Sequence, residues 1–196
     1  MTATSAAFLL FLVMDPVGNI PFFLSSLKSV APARRSRVVA RELLIAYAVL
    51  VTFLFGGRHL LGVLGISDPA LSIAGGVVLF LISVRMVFPT PEGTMREDIQ
   101  GEPLVVPLAI PYVAGPSALA TVLLLSSREP ERWPEWLLAL TGAWLVGAAI
   151  LLAGSRLQRR LGERGIIAME RLMGMVLVAI AVQLFLTGVE GYVRQL

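Results

Sequence analysis

The chain has 196 residues, 57% of them hydrophobic and only 15% charged, with a mean hydropathy of +0.83 and a formal net charge of +3. Soluble domains carry about a quarter charged residues, and here the apolar residues come in blocks that a soluble domain of this size could not hide, so the composition is that of an integral membrane protein. With no cysteine and one histidine, His59, disulfides, zinc fingers, cysteine nucleophiles and multi-histidine metal sites are excluded, and no cofactor is implied.

The first apolar segment, near 5–28, contains "VMDPVGNIP" at its middle. No basic residue precedes it, so a cleaved signal peptide is not expected. About 20 apolar residues cross a bilayer as a helix, and further spans are expected near 40–62, 69–88, 104–126, 136–154 and 170–189. Polar stretches separate them: "KSVAPARRSR", "GISD", "PTPEGTMREDIQGEP", "SREPERWPE" and "GSRLQRRLGERG". The expected fold is therefore all-α, a single membrane domain of six transmembrane helices.

The sequence pI of 9.9 does not point to nucleic acid, because the arginines lie in the connections. Of the 16 basic residues, Arg58, Arg128, Arg132 and Arg194 fall on one side and the other twelve on the opposite side. The positive-inside rule then places both termini outside. Trp133, Trp136 and Tyr192 fall near outer span ends, where an aromatic belt is expected. The polar connection 90–103 divides the chain into repeats of about 1–89 and 104–196. With three spans each, the second must be inverted relative to the first, an architecture common in secondary transporters.

The first span of each half carries prolines: Pro16 and Pro21 in one, Pro107, Pro111 and Pro116 in the other. Asp15-Pro16 aligns with Gly115-Pro116. Proline lacks the donor that would pair with the carbonyl four residues back, so Pro16 should free Leu12 and Pro116 should free Tyr112. Within hydrocarbon such a break persists only against protein or a watery cavity. Asp or Gly at N-cap before Pro at the first helical position is a helix-start signal. Half-helices are expected from Asp15-Pro16 to about Ser29 and from Gly115-Pro116 to about Ser127, their N-termini facing each other near the midplane. Helix N-termini attract anions and carboxylates.

Asp15, Pro16, Gly18, Asn19, Gly115, Pro116, Ser117 and Thr121 are thus the candidate substrate-binding residues. Asp15 is read as the one acid deep in a span; it is either a helix cap or the carrier of a coupling proton or sodium ion. Asn19 lines the cavity or ties helices together, and Ser117 and Thr121 either meet substrate or bond to their own helix. Gly75-Gly76 and Ala143/Gly147 fit close helix packing, and Gln183 fits a bond between helices. Glu42, beside Arg41 at an interface, needs no function on this reading. An enzyme is not expected: a membrane aspartyl protease needs a second buried acid, His59 is peripheral, and no H-E-x-x-H motif occurs. Divalent-cation transport would call for several buried carboxylates.

"MDPVGNIPFFLSSL", "LSIAGGVVLFLISVRM", "VPLAIPYVAGPSALATVLLL" and "ERLMGMVLVAIAVQLFLTGVEG" together resemble the MarC family, in family order over nearly the whole chain. The resemblance implies a six-span inner-membrane protein of bacteria or archaea. Some relatives are assigned as transporters of small neutral amino acids such as glycine and alanine. An amino-acid substrate, a coupling ion and the lipid bilayer are then the expected partners, with no nucleic acid; the oligomeric state stays open, a homo-oligomer included. Transport of another small anion or metabolite, and a non-transporting scaffold or stress-related membrane protein, are the rival readings.

Overall fold

A computed structural model describes residues 1–27, 30–88 and 113–195. Lys28, Arg96, Pro107, Pro111 and the connection between the proposed repeats lie outside the described residues.

The helices are α1 (Ala3–Met14), α2 (Ile20–Ser26), α3 (Pro32–Leu64), α4 (Asp68–Val87), α5 (Pro116–Arg128), α6 (Trp133–Leu152) and α7 (Gly154–Val193), with a 3₁₀ turn at Pro130–Arg132. Among the described residues, four segments are long and apolar enough to cross a membrane: Pro32–Leu64, Asp68–Val87, Pro130–Leu152 and Arg164–Val193. α1 has 12 residues. At about 1.5 Å rise per residue it reaches roughly 18 Å, short of a hydrocarbon core about 30 Å thick.

Local chemistry explains most boundaries. α3 ends where Gly65 adopts φ 64°, and its N–H closes on the carbonyls of Gly62 and Leu61, a cap that a β-carbon would strain. α4 restarts at once because Ser67 caps it, its hydroxyl accepting from the N–H of Ala70. Two stretches expected as loops are instead helical. "PARRSR" forms the first turns of α3 behind Pro32, and "GSRLQRR" opens α7, which kinks at Gly162 (φ 71°, ψ 171°). Polarity there marks departure from the apolar layer, while arginine is a good helix former and proline is favoured at the first helical position.

α4 and α7 pack antiparallel, α1 and α6 parallel, and the approach is close where side chains are small. α4 runs along α7, α1 along α6, and α5 contacts both α3 and α4; α3 also touches α6. A β-carbon on Gly76 would lie 2.8 Å from the backbone nitrogen of Phe185 and 2.9 Å from the carbonyl of Ala181. One on Gly188 would lie 2.8 Å from the nitrogen of Ile73. The Ser72 hydroxyl donates to the Leu184 carbonyl at 3.2 Å across the same seam. Gly75-Gly76 therefore pack as expected, and so does Gly147, whose β-carbon would rest 3.5 Å from Pro16. Gln183, expected between helices, faces outward and donates to Thr187 one turn along its own helix.

The outer surface is as apolar as the core. Leu138 is 72% exposed, and Leu145, Leu172 and Leu186 are each more than half exposed. Such continuous apolar exposure needs lipid to cover it. His59 is exposed near the end of α3.

Candidate functional site

The break in the first apolar segment falls where Pro16 demands it, but with different chemistry. Asp15 is the C-cap of α1, not the N-cap of the next helix: it takes a left-handed conformation (φ 42°, ψ 60°) and its N–H closes on the carbonyls of Phe11 and Leu12. Aspartate tolerates that conformation better than most side chains, and α1 stops before proline would clash with it. Leu12's carbonyl, expected to be freed by Pro16, is thus paired. The chain turns through 16–18, with the Asn19 N–H on the Asp15 carbonyl at 3.1 Å. Helix resumes as α2 with Asn19 at its N-cap and Pro21 in its first turn. α2 has seven residues, Ile20–Ser26, rather than the run to Ser29 expected.

The turn is closed from within. The Gly18 N–H donates to Asp15 Oδ1 at 3.1 Å, and Asn19 Nδ2 donates to the Met14 carbonyl at 2.9 Å. Asn19 therefore ties the end of α1 to the start of α2. A β-carbon on Gly18 would fall 2.1 Å from Asp15 Oδ2 and 2.5 Å from Met86 Cε, so glycine is required for these groups to fit. Asp15 and Asn19 are buried, and Pro16 is fully buried against α6. Glu170 on α7, at the edge of the sixth expected span, is near enough for its charge to reach Asp15.

The helix start expected at Gly115-Pro116 is present, while Tyr112 and the preceding part of the expected fourth span lie outside the described residues. Gly115 is extended (φ −68°, ψ 166°) as the N-cap, Pro116 opens α5, and α5 runs to Arg128. The Leu119 N–H already bonds the Gly115 carbonyl at 2.9 Å, and helix geometry leaves the N–H groups of Ser117 and Ala118 without partners inside the helix. Thr121 spends its hydroxyl on the Ser117 carbonyl at 2.8 Å, the local bond rather than a cavity contact. The Ser117 hydroxyl is buried and has no hydrogen-bond partner. Pro116 is exposed.

Burial corrects one further expectation. Glu42 is fully buried, so Asp15 is not the only acid inside the bundle. Its Oε1 accepts from Arg41 Nε at 3.1 Å and Arg41 Nη2 at 2.9 Å, while Oε2 is buried without a partner. The signal was available in the sequence: Val39, Glu42, Leu43 and Ala46 share the i, i+3, i+4, i+7 stripe that a packed helix buries. Two open recesses also mark α3, one lined by Arg37, Ala40, Arg41, Leu44, Ile45 and Ala48, the other by Phe55, Arg58, His59, Gly62 and Val63. Neither is lined by residues of the two breaks.

Long apolar helices, a first apolar segment broken at a buried Asp-Pro, and a short helix beginning at Gly115-Pro116 define a polytopic helical membrane protein. The chain belongs to the MarC family: residues 2–193 match the family described as MarC family integral membrane protein. It is 47% identical over 191 residues to the UPF0056 inner membrane protein YhgN of Escherichia coli (strain K12), covering 97% of each chain. It is 42% identical over 190 residues to a UPF0056 membrane protein of Buchnera aphidicola subsp. Schizaphis graminum, again covering 97% of each. A UPF0056 membrane protein of Pyrococcus abyssi is 33% identical over 186 residues, 93% of this chain and 91% of its own. No solved structure matches the chain.

Proposed function

We propose that this protein is a secondary transporter of small solutes, with small neutral amino acids of the glycine and alanine class as the first substrates to test. The observation that carries the reading is the start of α5, where the unpartnered, buried Ser117 hydroxyl sits beside the free N–H groups of a helix N-terminus. That set of donors suits a carboxylate. α2 is too short to supply an opposing N-terminus, so α5 is the principal anchor. Asp15 is the group available to a substrate ammonium or to a coupling proton or sodium ion.

Six spans in two inverted repeats suit this mechanism. The pairing of α1 with α6 and of α3 with α5, together with α4 against α7, is what exchanging the two halves would produce. The charge bias of the connections supports both termini outside, and alternating access would rock one half against the other.

A specific observation favours a second reading, a non-transporting scaffold: the first break is closed by its own Gly18–Asp15 and Asn19–Met14 bonds. Uptake of labelled alanine into proteoliposomes under a proton or sodium gradient, for wild type, Ser117→Ala and Asp15→Asn, separates the two. If the Ser117 hydroxyl binds substrate, its loss should raise KM about tenfold, equivalent to about 1.4 kcal/mol. If Asp15 couples the ion, Asp15→Asn should abolish gradient-driven accumulation. Absence of gradient-driven or exchange flux for glycine, alanine and small organic anions in wild type would favour the scaffold.

A further inference from the structure

Glu42 presents an arrangement that packing alone does not call for. Its carboxyl group is fully buried, and both hydrogen bonds it receives, from Arg41 Nε and Nη2, end on Oε1. Oε2 is buried and without a hydrogen-bond partner. A purely structural ion pair is expected to satisfy both oxygens, because an unpaired buried charge is strongly destabilising. An ionisable side chain inside a membrane bundle is a functional group by default, to be named with its partner.

Among the described residues of the helices packed on α3, charge is sparse near Glu42. α5 and α6 pack against α3, and their charged side chains, Arg128 and Glu135, lie at the ends remote from Glu42. On α3 itself the neighbouring charge is Arg41. Among the described residues, further acids lie at the first break: Pro16 lies beside Gly147 on α6, and one turn away Trp144 donates from Nε1 to the Leu43 carbonyl at 2.8 Å. Asp15, with Glu170 near it, is therefore held close to the level of Glu42 along α6. Trp144 also packs on Tyr47, with ring centroids 4.8 Å apart, so the segment carrying Glu42 is pinned to the same helix that abuts the break.

We propose that Glu42 is a proton-exchanging site of this protein, distinct from Asp15, with Oε2 as the atom that takes up the proton and Arg41 as the counter-charge on Oε1. Uptake forms one O–H bond at Oε2 and breaks one in a hydronium ion, which leaves as water, and takes the Arg41–Glu42 pair from neutral to a single positive charge. Release returns the proton to water and restores the ion pair, and nothing is oxidised or reduced. This assignment rests on the transporter reading only for its purpose, since proton binding can be measured without transport.

The test is an infrared pH titration of the full-length protein in lipid, following the carbonyl stretch of the protonated carboxyl group in wild type, Glu42→Gln and Asp15→Asn. The expected result is a pH-dependent band present in wild type and Asp15→Asn and lost in Glu42→Gln. A Glu42→Gln spectrum that titrates as wild type does would overturn the assignment. Should Glu42→Gln fail to fold, Glu42→Asp takes its place: a shifted midpoint supports the site, and an unchanged titration refutes it. In proteoliposomes Glu42→Gln should keep substrate counterflow and lose proton-driven accumulation. Wild type that shows no counterflow defeats the transporter reading, whereas the infrared titration still decides whether Glu42 exchanges a proton.

Discussion

The side-chain amide of Asn19 donates to the carbonyl of Met14 at 2.9 Å, joining the last residue of α1 to the first cap of α2 across the Asp-Pro turn. Backbone carbonyls released inside a bilayer have no water to turn to, so this bond is what lets the first apolar segment break and remain buried. Asn19→Ala should leave the Met14 carbonyl unsatisfied and cost about 1–3 kcal/mol. Thermal unfolding in detergent should show a lowered Tm, and Asn19→Asp, which offers no amide donor, should not restore it. An unchanged Tm for both would mean that the break is held by other groups.

Gly18 is fixed by close approach rather than by its own torsion. A β-carbon there would collide with Asp15 Oδ2 at 2.1 Å and Met86 Cε at 2.5 Å. Gly18→Ala should destabilise by about 1–3 kcal/mol through overpacking. Adding Met86→Ala should recover only part of this, because Asp15 still occupies the space. Full recovery in the double variant would show that Asp15 yields easily and that the turn is looser than its hydrogen bonds indicate.

The glycines of the helices separate into two groups by what surrounds them. At Gly76 a methyl group would meet backbone atoms of α7 within 3 Å, whereas at Gly56 and Gly142 nothing lies within 4 Å. Gly76→Ala should prise α4 from α7 and lower Tm. Gly56→Ala and Gly142→Ala should be neutral or stabilising by up to about 1 kcal/mol from helix propensity. Equal effects at all three sites would contradict the α4–α7 seam.

How far the sequence revealed these features depended on whether one residue type could play only one part. Gly115-Pro116 reads correctly because glycine extends and proline follows it at the first helical position. Asp15-Pro16 carries the same helix-start signal, yet aspartate can also enter the left-handed region and cap the helix before it, and α1 and Gly18 select that role. Gly65 and Ser67 mark the α3–α4 turn without ambiguity. The basic stretches 34–37 and 156–160 mark membrane exits, but say nothing about where helix ends, since arginine continues a helix well. Glu42 reads as an interfacial residue because its neighbour Arg41 supplies a sufficient surface explanation, although its place on the buried stripe of α3 depends on which side the other helices cover. Ser117 and Thr121 share a face, as their spacing requires. Only the folded chain separates the hydroxyl that bonds its own helix from the one that does not.

Arg132 organises the turn between α5 and α6. Its guanidinium pairs with Glu129 and Glu135, reaches the Met1 carbonyl at 2.9 Å and lies 4.6 Å from the centre of the Trp136 ring. The Trp136 indole N–H in turn donates to the Glu129 carbonyl at 3.0 Å. The hydrogen bond from Arg132 holds the Glu129 carboxyl below its usual range. A carboxylate whose pKa is lowered by folding contributes stability above its unfolded value and loses it as pH falls through the folded value. Wild type should therefore lose Tm on acidification through and below the ordinary carboxylate range. Arg132→Gln should flatten that part of the profile and bring the Glu129 titration back toward its model-peptide value. The effect should be small and shrink with added salt, because the pair is exposed. Identical pH profiles for wild type and Arg132→Gln at low salt would show that the acid sensitivity arises elsewhere in the chain.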